Sequence, residues 1–216
     1  VGYEMPYSNT LYELSKKLGV DMNFFFDVIE TPQLEELEAI CRHIRDLIRK
    51  KDYKSVFLTV KKYEHNALFQ GNLNRQFLLW HKAIAQYYLF PNQEEEVLNK
   101  LDQALSLTQM NNKYYKEQEI EILTSIATIY NECKKFNQST NTYLKALECL
   151  KLLPRIKNDQ IKIRVLYGLS RNLYEKEDYT TSQQYVLEGI KSCLAQETFY
   201  LLGELYYLCA CNLVKI

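Results

Sequence analysis

The chain has 216 residues, and its 27 basic and 27 acidic side chains leave a formal charge of +0. That balance is a poor footprint for wrapping nucleic acid, although a single basic element could still engage it. No apolar run reaches the ~20 residues that a membrane-spanning helix needs, and no signal-peptide pattern stands at the start.

Only 6 glycines and 4 prolines interrupt the chain, no strand-like alternation stands out, and no Asn-Gly or Asp-Gly hairpin signal occurs, so the expected class is all-α. Residues 1–30 differ from the rest. Pro6 followed by Ser8 and Asn9 reads as a helix start, Leu11, Leu14, Ser15 and Leu18 mark one face, and Gly19 sits where a left-handed C-terminal cap belongs. A second short helix is expected around Phe24, Phe25 and Phe26. Thr31-Pro32 reads as a boundary, because proline suits the first turn of a new helix. That helix spans Leu34 to Lys51, with Leu37, Ile40, Cys41, Ile44 and Ile48 at helical spacing, and Asp52-Tyr53 turns into a partner ending near Glu64. The predicted pairs that follow are Asn74–Phe90 with Glu94–Thr108, Tyr115–Cys133 with Asn137–Leu152, and Asp159–Glu175 with Thr180–Cys193. One unpaired helix, Glu197–Ile216, comes last, and Pro91 and Pro154 fall in connections.

These pairs repeat. Tyr88, Tyr130 and Tyr174 recur about every 42 to 44 residues, Phe136 and Tyr179 follow the last two, and Ala104, Ala146 and Gly189 hold a matching small position. Such self-similarity predicts a right-handed superhelix of tetratricopeptide-like helical hairpins, in which no unit buries its apolar face alone. Units longer than the usual ~34 residues imply longer helices and a deeper concave wall. The repeated aromatics are expected to pack between neighbouring helices.

Catalytic chemistry finds no foothold. There is no Gly-rich phosphate loop, nucleophile elbow or His-Glu-x-x-His pair. His43, His65 and His81 are far apart and read as surface or groove residues. Glu94-Glu95-Glu96 reads as a solvated first turn favoured by the helix dipole. The cysteines at 41, 133, 149, 193, 209 and 211 match no zinc spacing, and Cys209 and Cys211 fall on nearly opposite helix faces; buried or half-buried thiols in a reducing cytosol are expected. No catalytic residue, metal ligand or cofactor is expected.

A groove is more promising. Ile120, Leu123, Ala127 and Tyr130 form the packing face of one inner helix, which leaves Thr124, Thr128 and Asn131 on another. One period back stand Lys82 and Gln86; one period forward stand Gly168 and Asn172, then Glu204. Arg42, Arg45, Arg49 and Lys51 add a basic cluster. A polar track with a cationic end suits an extended peptide.

The run Met5-Pro6 to Leu18-Gly19-Val20-Asp21, with Phe24-Phe25-Phe26-Asp27, resembles the last helices of a Cro/repressor-type helix-turn-helix domain. Joined to long tetratricopeptide-like pairs, it resembles the peptide-pheromone receptors of Gram-positive bacteria, the Rap, NprR, PlcR and Rgg-like regulators. Gln76-Phe77-Leu78-Leu79-Trp80, Ile126-Ala127-Thr128-Ile129-Tyr130 and Gly203-Glu204-Leu205-Tyr206-Tyr207 resemble segments of the PlcR-like members in order and spacing. The resemblance implies a cytoplasmic, quorum-sensing transcription regulator, homodimeric, that binds a short signalling peptide and controls attached DNA-binding domains. Residues 1–30 would be the remnant of the helix-turn-helix domain and linker, and 31–216 a sensing domain shortened at its C-terminus. The DNA-reading helix would precede Val1. Carried over, the peptide contacts fall on Phe26, Arg49, Lys51, Thr124, Gly168 and Glu204. The PlcR-like pattern has amides where this chain has Thr124, Gly168 and Glu204, so a different peptide is expected. The peptide should have about five to ten residues and an acidic group or free C-terminus. The alternatives are a Rap-like repeat protein acting by protein–protein inhibition, which residues 1–30 disfavour, and a tetratricopeptide scaffold without a small ligand.

Overall fold

The computed structural model of the protein describes residues 7–19, 24–108, 115–154, 156 and 158–216, the side chains of 24–32 excepted. Ten α-helices lie among them: α1 Ser8–Leu18, α2 Phe24–Arg49, α3 Tyr53–Tyr63, α4 Asn72–Leu89, α5 Glu94–Ser106, α6 Glu117–Glu132, α7 Phe136–Leu152, α8 Gln160–Glu175, α9 Tyr179–Ala195 and α10 Leu202–Lys215. A 3₁₀ turn, Ala67–Phe69, precedes α4, and no strand occurs among the described residues. The chain forms two compact units, Val1–Lys51 and Asp52–Ile216.

In the first unit α1 ends as its sequence implies: Gly19 adopts φ 67° and its N–H reaches the Lys16 carbonyl at 3.3 Å. The expected break at Thr31-Pro32 is absent, because α2 runs unbroken through it. Proline lacks the donor that would close a bond to the carbonyl four residues back, so the helix forgoes one rung there. Phe26 lies outside the described side chains.

The second unit is a tetratricopeptide-like stack. α4 and α5, α6 and α7, and α8 and α9 form hairpins, α3 packs on α4, and α10 packs on α9; along the stack α4 meets α6, α6 meets α8 and α8 meets α10. Two devices set its register. The first is a turn without glycine. Lys51, Asn92, Lys134 and Glu177 all have positive φ, at intervals of roughly 42 residues. After the last two, Lys135 N–H reaches the Tyr130 carbonyl at 2.8 Å and Asp178 N–H reaches that of Leu173 at 2.9 Å, the six-to-one bond of a Schellman end. Asp52 and Asp178 then cap the next helix by accepting from the Ser55 and Thr181 amides. The second device is a buried serine. Ser139 Oγ donates to the Ala127 carbonyl and Ser182 Oγ to that of Ser170, each at 2.8 Å. Ser182 also accepts from Asn212 Nδ2 at 2.9 Å, which ties α10 to α9.

Small residues let helices approach where the repeat places them. Ala104, Ala146 and Gly189 are buried, and a Cβ at Gly189 would sit 2.9 Å from Leu205 Cδ2. At Gly168 a Cβ would lie 2.6 Å from Cζ of Tyr143, so the Tyr143 ring rests on bare α8 backbone. The Tyr143 phenol is buried and reaches Thr128 Oγ1 on α6 at 2.9 Å. Burial raises its pKa from 10.0 to about 12. The repeated aromatics pack as expected: Tyr174 meets Tyr179 edge to face at 5.3 Å, and Tyr53 stacks on Tyr88 at 4.2 Å. All six cysteines are buried or half-buried thiols.

Two further expectations of this fold needed correction. His81 is neither a surface nor a groove residue; it is buried between Phe77 and Trp80, ring centroids 4.0 and 4.2 Å away. The last helix starts at Leu202 rather than Glu197, because Glu197 and Leu201 both have positive φ and interrupt it.

Removing the serine hydroxyls should separate the two hairpins. Ser139→Ala deletes one hydrogen bond, worth about 1 kcal/mol. Ser182→Ala also removes the partner of buried Asn212 and should cost about twice as much. Thermal unfolding of both variants checks the order, and a larger loss for Ser139→Ala would refute the assignment. Tyr143 supplies a second expectation. Its folded pKa is above the unfolded one, so its contribution is complete below about pH 10 and is lost as pH rises towards 12. Stability should therefore fall in that window, and less steeply for Tyr143→Phe than for the native chain.

Candidate functional site

Thr124, Thr128 and Asn131 of α6 line one cleft, Thr124 and Asn131 being buried rather than exposed, and the chemistry of this wall follows from helix geometry. Thr124 Oγ1 donates to the Ile120 carbonyl, Ser125 Oγ to that of Glu121 and Thr128 Oγ1 to that of Thr124, at 2.8 to 3.0 Å. Hydroxyls one turn from a carbonyl commonly bond back in this way. Ser125 Oγ also accepts from Trp80 Nε1 at 2.9 Å, and Thr128 Oγ1 meets Tyr143 Oη at 2.9 Å. Facing them across a cleft of about 270 Å³ are Arg164, Tyr167, Gly168 and Arg171 of α8, and Tyr143 reaches in from α7. Tyr200 and Leu201, from the segment before α10, also line it.

Both arginines are already matched. Arg164 Nη1 donates to Glu121 Oε1 at 2.8 Å and its Nε to Tyr200 Oη at 2.9 Å. Arg171 Nε donates to Glu175 Oε1 at 2.9 Å. Burial works against both charges, yet both pKa values are raised, by Tyr200 and Glu121 for Arg164 and by Glu175 for Arg171. The guanidiniums stay ionised, and each keeps donors beyond these bonds for a ligand. Glu175 Oε2 also accepts from Asn131 Nδ2 at 3.0 Å. That bond fixes the amide, since a flipped Asn131 would set its oxygen against a carboxylate. Asn131 is buried and lines the cleft, and its Oδ1 has no partner among the described residues. A buried unsatisfied acceptor costs about 1–3 kcal/mol. Leu201 stands at φ 54°, a left-handed conformation that bulky residues avoid, and strain of this kind concentrates at functional sites.

A second depression, about 650 Å³, lies between α8 and α10 and shares Tyr167 and Arg171 with the first. Glu204, Gly203, Tyr207 and Cys211 line its far side. The two adjoin at these shared residues and make a track across α6, α8 and α10, the larger having the volume of a ligand site.

The structure brings together Thr124, Thr128 and Gly168 in the first depression and Glu204 in the second. It does not bring Asn172 to them. Asn172 is fully buried and donates to the Phe136 carbonyl and Thr140 Oγ1, holding α8 against α7. The expectation slipped by one residue because it counted from Tyr130 to Tyr174. The turn bonds pair Tyr130 with Leu173, and the serine bonds pair Ala127 with Ser170. In that register Thr124 and Thr128 correspond to Tyr167 and Arg171, and both line the cleft. Gln86 is also misplaced: it is buried and bonded to Gln93, Glu96 and Lys100 within its own hairpin. Lys82 bonds Glu64 at 2.5 Å and lines a separate depression among α3, α4 and α5, beside Arg75 and Asp102. In the first unit Arg49 is paired with Asp46, and Lys51 is exposed in its left-handed turn. Arg164, Arg171 and Tyr143 went unnoticed. Arg171 follows from the correct register, whereas Arg164 corresponds to Glu121, outside the expected stripe, and Tyr143 comes from an outer helix and had no sequence signal.

Two solved structures are similar to this chain. The crystal structure of Bacillus thuringiensis PlcR in complex with the peptide PapR7 and DNA shares 24% identity, with a TM-score of 0.82 over 98% of this chain and 74% of that one. The apo form of Bacillus thuringiensis PlcR shares 22% identity, with a TM-score of 0.79 over 99% and 78% of the two chains. No curated protein sequence matches. Residues 41–216 match the RNPP family C-terminal domain. With that match spanning most of its length, the chain belongs to the RNPP family.

Proposed function

We propose that this chain is the sensing part of a quorum-sensing transcription regulator, and that its cleft binds a short signalling peptide. The observation that carries the reading is the pair of adjoining depressions across α6, α8 and α10, which share Tyr167 and Arg171 and place arginine donors near hydroxyl and carboxylate acceptors. An extended peptide needs both along its length. The similarity to a structure that holds a peptide and DNA supports the same reading. The contacts proposed are Thr124, Thr128, Gly168 and Glu204, joined by Asn131, Tyr167 and Arg171.

The wider reading is a cytoplasmic homodimer whose peptide-bound state controls attached helix-turn-helix domains. Two-fold symmetry matches a palindromic DNA site, and the resemblance of residues 1–30 to a repressor-type tail supports such a domain. Sedimentation velocity should report a dimer at tens of micromolar, and a monomer there would count against this part.

Affinity selection from a synthetic library of free peptides, about five to ten residues long, tests the core of the proposal. Retained peptides should bind the native chain and lose about tenfold to a hundredfold in affinity to Arg171→Ala, since a charge-assisted hydrogen bond is worth about 1.5–3 kcal/mol. Gly203→Trp supplies an obstruction without overpacking, because nothing lies within 4 Å of a Cβ at that position. It should weaken the same peptides by titration calorimetry. Retention of no peptide, or equal binding by both variants, would sink the reading.

A further inference from the structure

The second depression, between α8 and α10, has a chemistry of its own. Three tyrosines line it, Tyr167 and Tyr174 of α8 and Tyr207 of α10. Its charged residues are Arg171, Glu175 and Glu204, so carboxylates outnumber cations. Arg171 and Glu175 answer one another through the 2.9 Å bond between them, and Glu175 has a second donor in Asn131. Glu204 is exposed and has no ion pair among the described residues. Its neighbour Gly203 adds no side chain, and nothing lies within 4 Å of where a Cβ would stand. Tyr207, one turn further along α10, leaves 74% of its surface in water.

We infer that this depression is the subsite for a cationic group of the peptide, an ammonium or a guanidinium, with Glu204 as the carboxylate that selects it. The inference rests on the peptide reading above and deepens it. A ligand carboxylate would meet Glu204 and Glu175 and find only Arg171, whose charge Glu175 already answers. An apolar side chain would gain contact with the tyrosines but take water from Glu204 without returning a partner, and an unpaired charge is costly to bury. A cation is drawn both by the Glu204 carboxylate and by aromatic rings, whose faces are negative. Arg171 does not cancel that preference. It stands at the boundary shared with the first depression, whereas Glu204 lines the α10 side. An acid in the first turn of α10 also suits the helix dipole, a structural role that reversing its charge distinguishes from ligand selection.

Two sources supply such a cation, the peptide's N-terminal ammonium and a Lys or Arg side chain. Positional-scanning heptapeptide mixtures, prepared with free and with acetylated N-termini, separate them by affinity-selection mass spectrometry. Either acetylation should lower retention about threefold to tenfold, or one position should favour Lys and Arg over Asp and Glu by that factor, as befits a partly exposed charge pair with aromatic contact. Glu204→Gln should erase the difference, Glu204→Lys should reverse it, and Tyr207→Leu should weaken it. Selectivity at the other positions should stay unchanged. Both residues are exposed, so circular dichroism melts of the variants should match the native chain. The native chain alone gives a further reading, because added salt should shrink the difference by screening the pair. A preference that survives both Glu204 variants, or that salt does not change, would overturn the inference. Equal retention of free and acetylated mixtures, with no position favouring Lys or Arg, would overturn it and leave peptide binding intact. Retention of no mixture would overturn the peptide reading and this inference with it.

Discussion

Apolar contacts are non-directional, so a buried hydrogen bond between two packed helices fixes their relative position more sharply than apolar packing alone. In this stack a buried serine on the second helix of a hairpin supplies the fix. Its hydroxyl has one acceptor within reach, the carbonyl of Ala127 or of Ser170, and a slip would leave that hydroxyl buried and unpaired. The rest follows from this bond. With α7 locked on α6, Tyr143 lies opposite the gap to α8 and meets Gly168 where only a glycine fits. With α9 locked on α8, Ser182 is free to take Asn212 and hold α10. The walls of the cleft inherit their geometry from hydrogen bonds that lie behind them.

The same reasoning separates the charges that frame the cleft from those that are open. Glu121 and Glu175 hold one arginine each, at full hydrogen-bond contact, and Tyr200 adds a second anchor to Arg164. An anchored guanidinium loses little further freedom when a ligand arrives, which is how a preorganised site saves binding energy. Matched carboxylates also leave a ligand carboxylate less to gain than the sequence stripe suggested. Glu204 is the acid on the track with no ion pair among the described residues, and it stands at the α10 end.

Much of the fold was legible because helical periodicity and hairpin length survive in the order of residues. The pairs from α4 to α9 begin and end within a few residues of their expected limits. More than half of the stripe was legible for the same reason, through Thr124, Thr128, Asn131, Gly168 and Glu204. The failures have physical causes. Tyr130 and Tyr174 look alike, yet the turn bonds equate Tyr130 with Leu173, so identity of side chain misled where hydrogen bonding decides. Gln86 and Asn172 are polar and still buried, because Gln86 is bonded within its own hairpin and the Asn172 Nδ2 donates to α7. His81 is buried by aromatic neighbours that flank it in sequence, a signal that was present in Phe77 and Trp80. Lys51-Asp52-Tyr53 and Glu177-Asp178-Tyr179 repeat one turn, a left-handed residue, a capping aspartate and an aromatic, which marks the repeat more sharply than the tyrosines did.

One segment joins the cleft to the end of the stack. After α9 the chain turns through Glu197, and Thr198 N–H closes on the Cys193 carbonyl at 3.0 Å. Tyr200 then donates its ring to the cleft wall and accepts from Arg164, while Leu201, in its left-handed conformation, lines the cleft and accepts the first α10 bond from Leu205 N–H at 3.0 Å. A strained residue is held only while its neighbours over-determine it. Here the holding contacts are the Arg164 bond to Tyr200, the Cys193 thiol on the Tyr200 carbonyl, the first α10 hydrogen bond, and the packing of Tyr200 and Leu201 on the core around Ile163 and Leu205. A group that competes for Arg164 therefore acts on the same few atoms that start α10. The cleft and the last helix thus share Tyr200 and Leu201, two residues that also rest on the core.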